Sequence, residues 1–332
     1  MKSHRYQIQR SDLFRALGLP LCGVLLIGLI VHLSSWLPFV PTPRPALDVD
    51  RTVIIQQIDS SETTTDAEIL LIGDSSCLMN VDAARLEGLA KTRAINLGTL
   101  SFLDLDTFGS LLSHYLDHQT SPPKRIILLT HPDFVRKNSA SQAHTNCFNR
   151  YLEKQDHLYN HTPPWNPEKY LGIHIVEGRL LARLPLPLNN AFGRYYGFTS
   201  DLSSFMVQHQ GSAVDPRSLD LEQLKGSSDY RVARSHKRLA ASFLERIPSG
   251  TAFFVGLTPV PKSFPQNDFV AEYQALLNEW ARLFPGCIAL SQLPPVLDNE
   301  HFATKTHLTQ AAATHYTRVL LENIGIDEVP TH

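Results

Sequence analysis

Cysteine is scarce in this chain. Its 332 residues hold four, Cys22, Cys77, Cys147 and Cys287, and none forms a Cys-x-x-Cys pair. Zinc-ribbon folds and dithiol redox motifs are thereby excluded. Cys22 lies in an apolar N-terminal stretch; the others are far apart and are either reduced thiols or, for Cys147 and Cys287, one disulfide. Charge of one sign is also lacking. Thirty Lys and Arg face 32 Asp and Glu, a formal net charge of -2, and the basic residues are scattered rather than striped. A nucleic-acid surface needs the opposite. No internal repeat, low-complexity tract or convergent Asp/His set for a metal pair is present. Nothing in the sequence calls for a cofactor.

What is present is enough apolar material for a sizeable core: 43% of residues are hydrophobic and 19% charged. The length suits one large domain or two ordinary ones.

Lys2, Arg5, Arg10 and Arg15 precede an apolar stretch over 16–40, uncharged throughout, with Trp36 and Phe39 near its end. As a helix of about 25 residues it would reach roughly 37 Å, enough to cross a bilayer. The preceding basic residues favour an inside N-terminus, so that everything beyond Val40 faces outward, on the periplasmic or extracytoplasmic side. A cleaved signal peptide wants a shorter apolar core and small residues before the cut. A buried helix is the other alternative. Pro38, Pro41, Pro43 and Pro45 instead read as a stiff spacer leaving a membrane, continuing through a lead-in to residue 66.

From residue 67 onward short apolar runs alternate with helical periodicity. Strands are expected over 67–76, 92–100, 124–134, 251–261 and 287–293. Helices are expected over 77–90, 102–118, 234–247, 269–283 and 309–324. The alternation implies right-handed crossovers and a three-layer, flavodoxin-like α/β fold: a mostly parallel five-stranded sheet with helices on both faces. An insertion at about 135–230 interrupts it. The insertion is rich in aromatic and histidine residues (Tyr151, His157, Tyr159, His161, Trp165, Tyr170, Tyr195, Tyr196), either a glycan-facing lid or ordinary packing.

Ligands of such sheets bind beyond the carboxyl ends of the strands. There the sequence puts Gly73-Asp74-Ser75-Ser76, Asn96-Leu97-Gly98, His131-Pro132-Asp133, Asp298-Asn299-Glu300-His301 and Thr306-His307-Leu308. A serine hydroxyl needs a base to take its proton and fixed donors for the oxyanion. Ser75, on a strand-to-helix turn, suits the nucleophile or, more simply, a helix cap.

These blocks resemble the GDSL/SGNH hydrolase superfamily: GDS after the first strand, NLG after the second, His-Leu before the last helix. The resemblance implies Ser75 as nucleophile, His307 as base and Gly98 as oxyanion donor, with Asn96 and His131 lining the substrate site. The family's acid stands three residues before the histidine, where this chain has Thr304. Asp298 or Glu300 could then support His307 across the loop, or Asp298 could serve His301 as a rival base in a D-x-x-H pair. IGDSSCLMNVDAARLEG, NLGTLS and THLTQAAATHYT further resemble membrane-anchored SGNH-like proteins that accompany multipass O-acyltransferases of alginate O-acetylation and teichoic-acid D-alanylation. That implies an exported domain handling an acyl donor or acylated glycan beside a polytopic membrane O-acyltransferase. Two function classes follow: a serine-dependent acyltransferase or esterase, and a catalytically degenerate scaffold or glycan-binding accessory.

Overall fold

A computed structural model describes residues 14–34, 49–63, 66–137, 140–153, 199–214, 230–264 and 269–326. The chain divides into two compact units, Met1–Leu47 with Asp156–Leu186, and Asp48–Gln155 with Pro187–His332. In the first, a turn of π-helix (Phe14–Gly18) leads into helix α1 (Leu19–Ser34). Leu19, Leu21, Val24, Leu25, Leu26 and Ile27 are all exposed on it. At 16 residues α1 spans about 24 Å, less than the roughly 30 Å of a bilayer core. Among the described residues no helix is long and apolar enough to cross a membrane. Trp36, Phe39 and the proline spacer lie outside the described residues.

The second unit carries the sheet. Its elements are α2 (Val49–Thr63), β1 (Ile69–Gly73), α3 (Ser75–Asn80), α4 (Ala83–Ala90), β2 (Ala94–Gly98), α5 (Leu105–Asp117), β3 (Arg125–Thr130) and the short α6 (Pro132–Val135). Within the expected insertion lie α7 (Gln142–Leu152) and α8 (Thr199–Gln208). The chain resumes with α9 (Arg234–Leu244), β4 (Ala252–Leu257), β5 (Val260–Pro261), α10 (Phe269–Ala281), β6 (Ile288–Ala289), β7 (Val296–Leu297) and α11 (Gln310–Asn323). Five strands pair in the order β2-β1-β3-β4-β6, every pair parallel; β5 and β7 form a separate two-stranded ribbon. The strand order reverses between β1 and β3, the switch point at which doubly wound sheets open a crevice.

Side-chain alternation explains the three layers. Leu70, Ile72, Ile126, Leu128 and Val255 turn to one face, packing with Ile54 and Ile58 of α2, Phe108 and Leu112 of α5, and Leu276 and Trp280 of α10. Ile69, Leu71, Ile127, Leu129 and Phe254 turn to the other, against Leu86 of α4 and Ala313, Tyr316 and Leu320 of α11. A strand buried on both faces needs apolar residues at every position, which is why these strands read as unbroken runs.

Three expectations change in detail. The single helix expected over 77–90 is two, because Val81 is extended and Asp82 caps a new helix at the Arg85 N–H. The fifth strand is two residues long, and Val260–Pro261 leaves the main sheet for the ribbon. The insertion's return segment seals the β2 edge: Gln210 accepts the Asn96 N–H, and Leu78 accepts that of Ala213. Of the two alternatives for Cys147 and Cys287, the structure shows reduced thiols, and all four cysteines are free.

Candidate active site

From Ile69 to Ala83 every residue is buried except Ser75. Two neighbours create that opening. A Cβ on Gly73 would lie 1.8 Å from the Leu129 carbonyl oxygen, so only glycine lets β1 end this close to β3. Asp74 then caps α3, its Oδ1 accepting the Ser76 N–H at 3.0 Å and the Ser76 hydroxyl at 2.6 Å. Its Oδ2 accepts the His131 N–H at 3.2 Å, tying the ends of β1 and β3 together. Capping therefore falls to Asp74, and the Ser75 hydroxyl remains available.

That hydroxyl lies 3.0 Å from His307 Nε2, although 232 residues separate the two. His307 sits in the loop before α11, which Thr309 caps at the Ala312 N–H. Its other ring nitrogen, Nδ1, is 2.9 Å from the Thr304 hydroxyl. Thr304 thus occupies the place where an orienting carboxylate would serve. The Thr304 oxygen also faces two backbone donors, the N–H of His307 at 3.1 Å and that of Thr306 at 3.3 Å.

Counting donors assigns the resting tautomer. A hydroxyl has two lone pairs and one proton. With both lone pairs facing amides, the proton goes to His307 Nδ1, and Nε2 then carries the ring hydrogen toward Ser75. Burial, with the His131 ring nearby, pulls the His307 pKa down to about 3, so the ring is neutral at ordinary pH.

His131 presents a different chemistry. It is 2% exposed, and its Nδ1 accepts the Asp133 N–H at 3.1 Å, which places the hydrogen on Nε2. Burial lowers its pKa, keeping that tautomer neutral. Nε2 is buried without a partner. An unmade buried hydrogen bond costs about 1–3 kcal/mol, so this orphan donor needs a reason to be there. Among the described residues the N–H of Ser75 likewise meets no acceptor, as expected of the first residue of a helix.

The other candidates stand elsewhere. The Gly98 N–H is given to Asn96 Oδ1 at 2.8 Å, and a Cβ there would lie 2.5 Å from Leu78 N. Gly98 is a close-packing glycine, and its amide is not free for an oxyanion. Asn96 is fully buried, and its amide nitrogen donates to the carbonyls of Cys77 and Val81 and to Ser212 Oγ. It fastens α3 to β2 instead of facing a substrate. Asp298 pairs with Lys262 at 3.1 Å on the surface and supports neither histidine through its side chain. His301 bonds the Asp298 carbonyl through its backbone N–H, and its Nδ1 is buried without a partner. Tyr151 donates to Asp59 at 3.2 Å; the insertion's other aromatic and histidine candidates, His157 to Tyr196, lie outside the described residues.

One positioning residue had not been anticipated. Asn80, at the end of α3, holds the His307 loop through Thr306 and Leu308. Its only sequence signal is a polar residue directly after the apolar run Cys77-Leu78-Met79. Compared with models of protein families and with curated protein sequences, the chain matches none.

Proposed function

We propose that this chain is a membrane-anchored, GDSL/SGNH-like acyl-transfer protein in which Ser75 carries an acyl group, acetyl being the simplest, between a donor and an extracytoplasmic polysaccharide. The observation that carries the proposal is the 3.0 Å contact between Ser75 Oγ and His307 Nε2 at the carboxyl edge of a parallel sheet. Ser75 Oγ bonds to the acyl carbon as its proton passes to His307 Nε2, and the donor's ester oxygen leaves with that proton. A polysaccharide hydroxyl, or water in the esterase case, then takes the acyl group as His307 removes and returns one proton. The Ser75 N–H and His131 Nε2–H are the donors for the oxyanion. An anchor over 16–40 and a multipass O-acyltransferase partner belong to the same reading; the exposed apolar surface of α1 supports it.

The base step requires Nδ1–H and an unprotonated Nε2, the reverse of the resting tautomer. Thr304 must rotate its hydroxyl to accept from Nδ1, so turnover is slow. A histidine held in the wrong tautomer costs a serine hydrolase about 10⁴ in rate. That same feature favours a second reading, a degenerate site that binds acylated glycan without turning it over.

Reaction of the full-length protein with a fluorophosphonate probe, and turnover of an activated acetyl ester, separate the two. Labelling on Ser75 and turnover abolished by Ser75→Ala are expected. Turnover that survives this change would overturn the nucleophile; absent labelling with measurable oligosaccharide binding would favour the scaffold.

A further inference from the structure

Far from Ser75, two helices end against each other. Helix α5 begins after the carboxyl end of β2 and finishes before the amino end of β3, so its last turn lies at the sheet edge opposite the serine. That turn carries His114, and His118 caps it. Four residues apart, the two rings share one helix face, with centroids 4.6 Å apart. Glu62, in the last turn of α2, brings a carboxylate to them: its Oε1 is 3.1 Å from His114 Nε2.

We propose that Glu62, His114 and His118 form a zinc site that clamps α2 to α5. One ligand atom from each lies within 4.8 Å of the other two. Bonds of 2.0–2.1 Å in a tetrahedral zinc site put ligand atoms about 3.4 Å apart. The Glu62–His114 pair, at 3.1 Å, is already close to that spacing, and His118 is exposed beside it. His118 Nδ1 contacts the His114 carbonyl at 2.7 Å, so it carries the ring hydrogen and leaves the Nε2 lone pair for a metal. A ligating histidine is commonly oriented by such a second bond.

Electrostatics favours a cation at this place. The carbonyl ends of α2 and α5 both meet the cluster, and each helix C-terminus carries partial negative charge. Two neutral imidazoles and one carboxylate are a borderline N/O set suited to zinc over magnesium or calcium. Three protein ligands leave the fourth position to water, on the exposed side of His118. Because its ligands come from two helices, the metal would fasten the lead-in helix to the domain.

The test uses full-length protein without a histidine tag, stripped of metal with a chelator. Zinc is titrated against a chromogenic competitor, and melting temperature is followed alongside. One equivalent bound at micromolar or tighter affinity, with a rise in melting temperature, is expected. His118→Gln and Glu62→Gln should each weaken binding at least tenfold and remove the thermal shift. His118→Gln should melt like the wild type without metal, since that side chain is exposed. Absence of a stoichiometric site, or wild-type affinity in either variant, would overturn the proposal.

Discussion

Asn80 holds His307 from both sides: its side-chain oxygen accepts the Leu308 N–H at 2.8 Å, and its amide nitrogen donates to the Thr306 carbonyl at 3.2 Å. Ser75 begins the helix that Asn80 ends, so one six-residue element carries the hydroxyl and fixes the loop bearing the imidazole. Asn80→Ala should cost about 1–3 kcal/mol of stability, because it strips a buried N–H of its acceptor. It should also slow fluorophosphonate labelling of Ser75, while Asn80→Asp keeps the bond to Leu308 and retains more of both. Urea unfolding and labelling rates check this; an unchanged labelling rate in Asn80→Ala would detach the loop from the chemistry.

Thr304→Asp should raise activity. A carboxylate has room for three donors, the two amides now facing Thr304 and His307 Nδ1–H together. It would reverse the tautomer and stabilise the imidazolium, lifting the His307 pKa from about 3 toward the ordinary histidine range. Labelling should quicken roughly tenfold or more. Its pH profile, flat from 7 to 5 in the wild type, should acquire an acid limb. Thr304→Asp labelling no faster than wild type would exclude the tautomer as the limiting feature.

How much of this was legible before coordinates depends on whether a residue's role is local. Buried parallel strands announce themselves because both faces must be apolar, and Ile69–Gly73 and Arg125–Thr130 fall within the apolar runs expected. The break at Val81 is not local: Asn80 is drawn into a bond with residues 306 and 308, and the Asp82 N–H into one with Thr317. Gly98 looks the same in sequence whether its N–H faces a ligand or is consumed by Asn96 two residues earlier. The D-x-x-H spacing of Asp298 and His301 is equally ambiguous, and a surface lysine from the β5 end engages that acid. Thr304 was visible as a departure, but its bond to Nδ1 depends on the fold of the 304–307 turn.

Acid should destabilise the fold well before its carboxylates titrate. Burial lowers the pKa of His307, His131 and His236 below the ordinary histidine value. In the unfolded chain each returns to about 6.5. Between the two values the unfolded state binds more protons, so stability rises with pH there. The contribution is full above about pH 6.5 and is lost as pH falls toward the folded values, about 3 for His307. The urea midpoint should therefore drop from pH 7 to pH 5. An unchanged midpoint would mean that these rings are not held neutral.

His131 separates stability from function most cleanly. Its Nε2–H is buried and unpaired, so the free protein carries the cost of a donor without an acceptor. Replacement by a ring that cannot donate, His131→Phe, removes that cost but also strips the Asp133 N–H of its acceptor. The two changes offset, so stability should change little. If Nε2–H meets the oxyanion, turnover of an activated ester should fall about 10²–10³-fold in kcat with little change in KM, the loss typical of removing one such donor. Undiminished kcat in a variant that folds as well as the wild type would show that the buried donor serves something other than the acyl group on Ser75.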